Sequence, residues 1–208
     1  MKVLEAFKLY QRVVKELIEN ITAKPTKWFV DFLLKLFDAV VAIPGKINFS
    51  SLSRYSGLTD RTFRNWFKRK DCNWLEFNRK AMSRAFGDDR KIVLAFDPAH
   101  ITKNGESTYG IGRYWSGAEK RTKAGLEIMA FGAISVTRGK CMMLEAVQTP
   151  PVEELHNKKT MTMLEWYLWL VTSQKEQLLG VSNVLTADAF FSRKPFIDGV
   201  IEAGFSFV

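Results

Sequence analysis

Lys91-Ile92-Val93-Leu94-Ala95-Phe96-Asp97-Pro98 is the stretch that decides the fold. Its five consecutive apolar residues, two of them β-branched, predict a strand that is buried on both faces. The strand ends in a carboxylate, Asp97, and we expect Pro98 to stop the ladder because proline lacks a backbone N–H. A second run of the same form, Val184-Leu185-Thr186-Ala187-Asp188, ends in another aspartate.

Two interpretations of these aspartates compete. Taken singly, each is typical of a cap, Asp97 before a turn at Pro98 and Asp188 at the start of the next helix. Taken together, two buried strands that each end in an aspartate can bring two carboxylates to one metal site. The pair, with the chain that lies between, favours the metal site.

The composition is that of a globular protein, since 47% of the 208 residues are hydrophobic and 25% are charged. The net charge is +9 and is unevenly distributed. Residues 1–90 carry 18 Lys and Arg against 10 Asp and Glu, whereas residues 91–208 carry 13 against 12. A basic segment is expected where a protein meets a polyanion, although solubility alone also explains a basic surface.

The sequence has no signal-peptide pattern, and no apolar stretch reaches the roughly 18 residues of a membrane span. We therefore expect a cytoplasmic protein with no membrane partner, in which Cys72 and Cys141 are buried, reduced thiols. The two histidines, His100 and His156, are too few for a histidine-based metal cluster. We interpret both as structural or surface residues, not as general bases or ligands.

Residues 1–90 predict an all-α region. Apolar residues at helical spacing predict helices over 3–21 and 26–43, and another within 71–89. Residues 47–70 have the pattern of a helix-turn-helix. Here Ser50 caps a first helix, Gly57 makes a tight turn, and Thr59 or Asp60 caps a second helix.

The first of these short helices is expected to pack through Leu52 and Tyr55, and the second through Phe63, Trp66 and Phe67. Five polar side chains of the second helix then point outward: Arg61, Arg64, Asn65, Lys68 and Arg69. Arginine and asparagine can read base edges in the major groove, and lysine neutralises phosphate. The alternative is an ordinary helical hairpin with a solvated basic face.

The segment after Asp97 is rich in glycine and basic residues. Its cations are Lys103, Lys120, Arg121 and Lys123, and its aromatic residues are Tyr109, Tyr114 and Trp115. No Gly-Lys-Ser/Thr run follows, so this is not a phosphate-binding P-loop. Aromatic residues among basic ones suit a nucleic-acid backbone with unstacked bases. A surface hairpin in which Tyr114 and Trp115 pack on the sheet remains an equal alternative.

The rest of the chain predicts a hairpin of strands over 126–136 and 141–148, a helix over 158–179, the strand that ends at Asp188, a helix over 193–203 and a strand that begins at Phe205. The fold class is therefore α/β. The element order is β-β-β-α-β-α-β over 91–208, preceded by the all-α region of 1–90.

This order, with an aspartate at the end of the first and fourth strands, resembles the RNase H-like fold. More closely, the chain is similar to DDE transposases of bacterial insertion sequences. The residues that carry the resemblance are Asp97-Pro98-Ala99-His100, Lys103-Asn104-Gly105, Gly110, Trp115-Ser116-Gly117, Lys120 to Gly125 and Thr186 to Lys194. A helix-turn-helix ahead of this domain also fits such proteins.

The resemblance implies metal-dependent cleavage and strand transfer of phosphodiesters at the ends of a mobile element. In that family three acidic residues hold two Mg²⁺ (or Mn²⁺) ions, and Asp97 and Asp188 match the first two. The implied partner is double-stranded DNA, both element ends and target, in a nucleoid-associated bacterial protein. Lys194 would contact DNA phosphate, although a solvated helix face is an equal alternative. A homodimer is left open.

The third acid should be a glutamate on a helix after the strand that begins at Phe205. The sequence ends at Val208, and Glu202 comes too early, on the wrong helix. We therefore expect an N-terminal fragment of a transposase whose catalytic domain is incomplete and inactive alone. Two alternatives are a non-catalytic DNA-binding protein, such as a transposition inhibitor, and a non-functional remnant of a mobile element.

Overall fold

The computed structural model describes residues 3–21, 25–69, 72–105, 108–116, 120–151, 154–155 and 161–208. Lys70, Gly117 and His156, which the sequence analysis named, lie outside these ranges. The chain divides into two compact units, Met1–Ala81 and Met82–Val208. Each unit is described by itself below.

The first unit is helical. It contains α1 (Val3–Glu19), α2 (Lys27–Ala42), α3 (Phe49–Ser56), α4 (Asp60–Phe67) and the start of α5 (Trp74–Phe86). Thr26 caps α2, because its hydroxyl accepts a hydrogen bond from the Phe29 amide. The helices share one apolar core, and its fully or nearly fully buried members include Ile18, Ile21, Phe29, Leu33, Leu52 and Phe63.

Helices α3 and α4 form the hairpin predicted over 47–70. Gly57 ends α3 in the left-handed conformation (φ 71°), as expected for the turn, and Thr59 caps α4. The predicted cap at Ser50 is wrong, because Asn48 caps α3 in a capping box with Ser51.

Burial in this hairpin follows the prediction only in part. Leu52 and Phe63 are buried, but the side chains of Tyr55 and Phe67 are 47% and 55% exposed. Both helices have only eight residues. Two turns of helix offer a narrow buried stripe, so residues at its margin remain partly in solvent.

The second unit contains a six-stranded mixed sheet. Its strands are β1 (Ile92–Thr102), β2 (Gly112–Ser116), β3 (Arg121–Ser135), β4 (Lys140–Gln148), β5 (Val184–Ala187) and β6 (Ser206–Phe207). The order is β2-β3-β1-β5-β6, and β4 also pairs with β3. β1 is antiparallel to β3 and parallel to β5, which is in turn parallel to β6.

The expectation that Pro98 stops the first strand is wrong. β1 continues through Pro98 to Thr102 and stays paired with β3, where Pro98 faces Met129. The pairs with β5 extend only as far as Phe96. Beyond that residue β1 has a partner on one side, so a missing N–H on the other side is tolerated.

One face of the sheet packs on helices. These are α6 (Met163–Ser173), α7 (Lys175–Leu179) and α8 (Lys194–Glu202), with a 3₁₀ turn over Ala189–Phe191. Phe96 of β1 is fully buried, and its ring centroid lies 4.8 Å from that of Phe131 and 5.2 Å from that of Phe191. Tyr167 of α6 and Phe196 of α8 complete the aromatic cluster.

The single helix predicted over 158–179 is wrong in its second half, because Gln174 separates α6 from α7 with non-helical dihedrals. The hydroxyls of Thr172 and Ser173 donate to the carbonyls of Trp169 and Leu170. Hydroxyls that bond back to the preceding turn compete with the helix and bend it. α6 itself begins at a capping box between Thr162 and Glu165.

The mixed α/β architecture agrees with the predicted fold class. The prediction that both cysteines are buried is wrong, because Cys72 is half-buried and Cys141 is exposed. Cys141 lies at the start of β4, opposite Ile134. It occupies a strand position near a turn, where the sheet leaves the side chain in solvent.

The continuation of β1 beyond Asp97 gives the first testable prediction. Gly125 of β3 faces Thr102 on one side and Gly112 of β2 on the other. A Cβ placed on Gly125 would clash with the carbonyl oxygen of Ile101 and lie 2.7 Å from Nε2 of His100. We expect Gly125→Ala to lower the free energy of unfolding by about 1–3 kcal/mol, as overpacking does.

The measurement is urea denaturation followed by far-ultraviolet circular dichroism. Gly45→Ala is the matched control, because a Cβ on Gly45 would meet no atom within 4 Å. Equal stability of Gly125→Ala and the native chain would contradict the pairing of β1 with β3 beyond Asp97.

Candidate functional site

Asp97 and Asp188 both lie just beyond the point where the pairing of β1 with β5 ends, Asp97 in the middle of β1 and Asp188 directly after β5. In the register of β1 with β5, Phe96 pairs with Ala187, so Asp97 and Asp188 are the next residues along each strand. Neighbouring strands are about 4.8 Å apart. Both carboxylates therefore leave the sheet at one edge, side by side.

Strand alternation gives the face on which this pair lies. Phe96 points toward α6 and α8, so Asp97 points to the opposite face. The same alternation, carried on from buried Leu185, places Asp188 on the face of Asp97. Both aspartates are exposed, which leaves the pair open to a ligand.

The electrostatics agree with this proximity. Partial burial of the Asp97 carboxyl raises its pKa above the ordinary value, and the negative charge of Asp188 raises it further. Two like charges at this spacing disfavour each other's ionisation. A bound cation would relieve the repulsion.

Asp188 also caps the turn that follows it. Its Oδ1 accepts a hydrogen bond from the Phe190 amide at 3.0 Å, at the start of the 3₁₀ turn Ala189–Phe191. The capping interpretation and the proximity to Asp97 therefore hold together. The hydrogen bond uses one carboxylate oxygen and fixes the orientation of the other.

Carboxylate oxygens are the hard ligands that Mg²⁺ and Mn²⁺ prefer, so the donors of this pair fit such an ion. Among the residues that the structure describes, no group of three acidic, histidine or cysteine side chains is placed to hold a metal ion. Glu202 ends α8 and lines a surface cleft with Glu165 and Lys175. His100 faces the helix side of β1, opposite Glu127, and so does not share the face of Asp97.

A buried hydrogen bond between Glu127 and Tyr167, which was not predicted from the sequence, lies near the turn that Asp188 caps. Glu127 of β3 is buried, and it accepts a hydrogen bond from the Tyr167 hydroxyl of α6. Burial and the neighbouring Glu127 charge both raise the pKa of Tyr167. The Tyr167 ring stands edge-on to Phe190 and Phe191, which belong to the turn capped by Asp188. A charged residue within the apolar run of β3 was the signal, because a buried carboxylate needs a partner.

The predicted DNA-contacting residues of α4 (Asp60–Phe67) and of the two positions after it divide into two groups. Arg64 already has two partners within the protein. It forms an ion pair with Asp60 at 3.2 Å, and its guanidinium lies 4.8 Å over the Phe49 ring. Arg69 lies 4.6 Å over the Trp66 ring. The others, Arg61, Asn65 and Lys68, are all exposed and follow one another at helical spacing along one stripe.

The basic residues of the second unit are spread along its strands and turns. Lys103 follows β1, and Lys120 precedes β3 with a positive φ of 50°. Arg121 and Lys123 lie on β3, opposite Ser116 and Tyr114 of β2. Lys194 pairs with Asp198 at 2.7 Å. Of these cations, Arg121 and Lys123 share β3, and Lys194 begins α8.

The aromatic residues of this segment also divide. Tyr114 is buried and donates its hydroxyl to the carbonyl of Thr149. The side chains of Tyr109 and Trp115 are 79% and 65% exposed. The packed alternative therefore holds for Tyr114, whereas Trp115 and Tyr109 are accessible to a partner.

No protein-family model matches the chain, and a comparison with curated proteins finds no match. In the described part of the chain, none of the helices has the length and apolar character that crossing a membrane requires.

The raised pKa of Asp97 gives the second prediction. A carboxyl whose pKa is higher in the folded state makes the folded state bind protons more tightly. The free energy of unfolding therefore falls as pH rises from the ordinary carboxyl range through the raised pKa. Asp97→Asn removes this cost, and we expect it to raise Tm at pH 7 by about 1–3 °C.

The measurement is the Tm of both proteins between pH 4 and pH 8 in the presence of EDTA. The gain should shrink as pH falls and the native carboxyl takes up its proton. Asp88→Asn, which removes an exposed carboxyl in the same unit, is the control for net charge. A lower Tm for Asp97→Asn at pH 7 would show that the Asp97 charge stabilises the fold.

Proposed function

We propose that this chain is part of an RNase H-like transposase of the DDE class and that Asp97 and Asp188 are two of its metal ligands. The observation that carries the proposal is the register of β1 with β5, which sets the two carboxylates side by side. The raised pKa of Asp97 supports it, because the shift includes the charge of Asp188.

The topology supports the same family. In chain order the elements are β1, β2, β3, β4, α6, α7, β5, α8 and β6. They match the order that the resemblance predicts once β2, which was not predicted, is set aside and α6 and α7 are counted as one helix. The first and fourth strands of that order, β1 and β5, are adjacent and parallel. An antiparallel or distant arrangement would have separated the aspartates.

The chemistry follows from the donors. A divalent cation at this pair would activate a water or a 3′-hydroxyl and stabilise the departing oxygen of a phosphodiester. Asp97 binds such an ion only when deprotonated, so its raised pKa makes binding weaken as pH falls. The hydrogen bond from the Phe190 amide fixes the orientation of the Asp188 carboxylate. The third acidic ligand that the family needs is not among the described residues around this pair.

The helical unit would bind the DNA. We interpret α3 and α4 as the two helices of a helix-turn-helix, joined by the left-handed Gly57. The stripe of Arg61, Asn65 and Lys68 is the surface that would enter the major groove. Arg64 and Arg69 instead pack against the protein, because their guanidinium groups lie over the rings of Phe49 and Trp66.

A non-catalytic DNA-binding protein is the second candidate. It is favoured by one observation, the exposed stripe of Arg61, Asn65 and Lys68 in the helical unit. The two candidates differ in what the aspartate pair does, since only the transposase requires Asp97 and Asp188 to bind a cation.

The third prediction is that the full chain binds Mn²⁺ through this pair. We expect Asp97→Asn and Asp188→Asn each to weaken Mn²⁺ binding roughly tenfold or more, since loss of a direct ligand costs at least as much as loss of its support. Electron paramagnetic resonance of free Mn²⁺ measures the affinity. Asp198→Asn, which removes a carboxyl paired with Lys194, is the control.

If Asp97→Asn and Asp188→Asn both bound Mn²⁺ with native affinity, the transposase proposal would be contradicted. The non-catalytic DNA-binding protein would then be the remaining candidate. The pH profile adds a check, because the affinity of the native chain should fall as Asp97 takes up a proton.

The fourth prediction concerns α4. Changing Arg61 and Lys68 to Ala should weaken binding to duplex DNA and reduce the slope of log affinity against log salt by about 0.9 per lost phosphate contact. Asn65→Ala should leave the slope unchanged and reduce sequence preference, because a neutral amide reads bases. Fluorescence anisotropy at several salt concentrations measures both.

Lys15→Ala is the matched control, since it removes one cation on α1 that already pairs with Glu19. An unchanged slope after loss of both Arg61 and Lys68 would contradict the assignment of α4 as the DNA-contacting helix.

A further inference from the structure

One buried ring on the helix face of the sheet contacts the chain next to both aspartates. The Tyr167 ring of α6 stands edge-on to Phe96, with the two centroids 6.3 Å apart, and Phe96 directly precedes Asp97. It also stands edge-on to Phe191, with the centroids 5.4 Å apart, three residues after Asp188. Edge-to-face contacts are a favoured geometry between aromatic rings. Tyr167 therefore packs on neighbours of both candidate ligands from the opposite side of the sheet.

Two hydrogen bonds connect the turn that Tyr167 contacts to Asp188. The Phe190 amide donates to Oδ1 of Asp188 at 3.0 Å, and the Phe191 amide donates to its carbonyl oxygen at 3.1 Å. The Phe190 ring is itself nearly perpendicular to that of Tyr167 (84°). A displacement of the Tyr167 ring would therefore move the backbone donors that orient the Asp188 carboxylate.

A buried hydrogen bond fixes the Tyr167 ring in place. The hydroxyl donates to Oε1 of Glu127 on β3, and the two residues are 3% and 9% exposed. A buried polar pair of this kind adds little stability over apolar side chains of the same shape. It does restrict the ring to one position, because a shift of the ring leaves both polar groups without a partner. The pair is therefore suited to positioning a neighbouring site.

We propose that Tyr167, held by Glu127, is a positioning residue that sets the spacing of Asp97 and Asp188 and thereby the affinity of the pair for a divalent cation. The inference rests on the proposed function, because the cation is the one expected at that pair. It adds a determinant of the site that lies on the helix side of the sheet and is not a ligand. One contact acts through β1, and the others act through the turn after β5.

The spacing of the two carboxylates matters because a shared cation tolerates little variation in it. Mg²⁺ demands near-octahedral oxygen ligands at about 2.0–2.1 Å. Groups that act together at a site must be held within about 0.5 Å of the productive geometry by residues whose own positions are fixed. Asp97 and Asp188 belong to different elements, so their spacing depends on how those elements pack. A small displacement of either element would weaken cation binding before it unfolded the protein.

The test removes the polar pair in the full chain without leaving a polar group unpaired. Glu127→Met combined with Tyr167→Phe replaces both groups by apolar ones of similar shape, so Tm should stay close to the native value. We expect this double variant to bind Mn²⁺ roughly two- to 30-fold more weakly, measured by electron paramagnetic resonance. In EDTA its Phe190 amide should exchange hydrogen faster by a similar factor, because the bond to Asp188 opens more often. A purely structural role of the pair would change neither quantity at a native Tm.

Single variants separate positioning from folding, each measured at a temperature where circular dichroism shows it to be folded. Glu127→Gln keeps an oxygen that accepts from the Tyr167 hydroxyl, so it should bind Mn²⁺ with native affinity. Tyr167→Phe leaves Glu127 unpaired and should lower both Tm and Mn²⁺ affinity. Tyr114→Phe is the matched control, because this buried hydroxyl donates to the Thr149 carbonyl instead, and its loss should leave Mn²⁺ affinity native.

Asp97→Asn distinguishes failure of this inference from failure of the proposed function. Native Mn²⁺ affinity in Asp97→Asn would overturn the metal site itself. Weaker binding in Asp97→Asn, together with native affinity in both Tyr167→Phe and the double variant, would keep the metal site and overturn the positioning role of Tyr167. Weaker binding in all three, with native affinity in Glu127→Gln and Tyr114→Phe, is the result that we expect.

Discussion

The parallel register of β1 with β5 is the constraint on which the rest of the second unit depends. Leu94, Ala95 and Phe96 pair with Leu185, Thr186 and Ala187, and each strand then delivers an aspartate. The buried Phe96, packed among Phe131, Phe191 and Phe196, holds this register. A slip by one residue would turn Phe96 to the other face, together with Asp97, so the core and the site are fixed by the same pairing.

The pair is supported from behind by groups that are not themselves ligands. Two adjacent carboxylates do not stabilise a fold, as the raised pKa of Asp97 indicates. Packing must therefore supply the free energy that holds them. The hydrogen bond from Tyr167 to Glu127 anchors the Tyr167 ring between the sheet and α6, and that ring contacts Phe190 and Phe191. The turn that Asp188 caps is thereby joined to the middle of the sheet.

Much of this arrangement could be predicted from the sequence, and the failures have physical causes. Local signals were sufficient for the strand at β1, the left-handed Gly57 and the position of Asp188 directly after β5. They overstated the burial of β1, where only Leu94 and Phe96 of the five apolar residues are buried, and they placed Asp97 at the end of a strand that continues to Thr102. Pro98 was misjudged because its effect depends on which side of β1 has a partner, which a single strand does not reveal. The partner of Glu127 could not be predicted, because Tyr167 lies forty residues away in the chain.

Contacts with other parts of the fold, which local sequence does not reveal, also distinguish the basic residues of α4 and of the two positions after it. Composition treats all its cations as equivalent, yet Asp60 and Phe49 engage Arg64, and Trp66 engages Arg69. An arginine that is already paired pays a cost to leave that pair for a phosphate or a base, whereas Arg61 and Lys68 are exposed on one stripe with Asn65. If this surface binds a polyanion, as we propose, Arg61 and Lys68 should contact it before Arg64 and Arg69 do. Charge distribution predicts that a surface binds DNA, and the contacts within the fold decide which side chains remain available to do so.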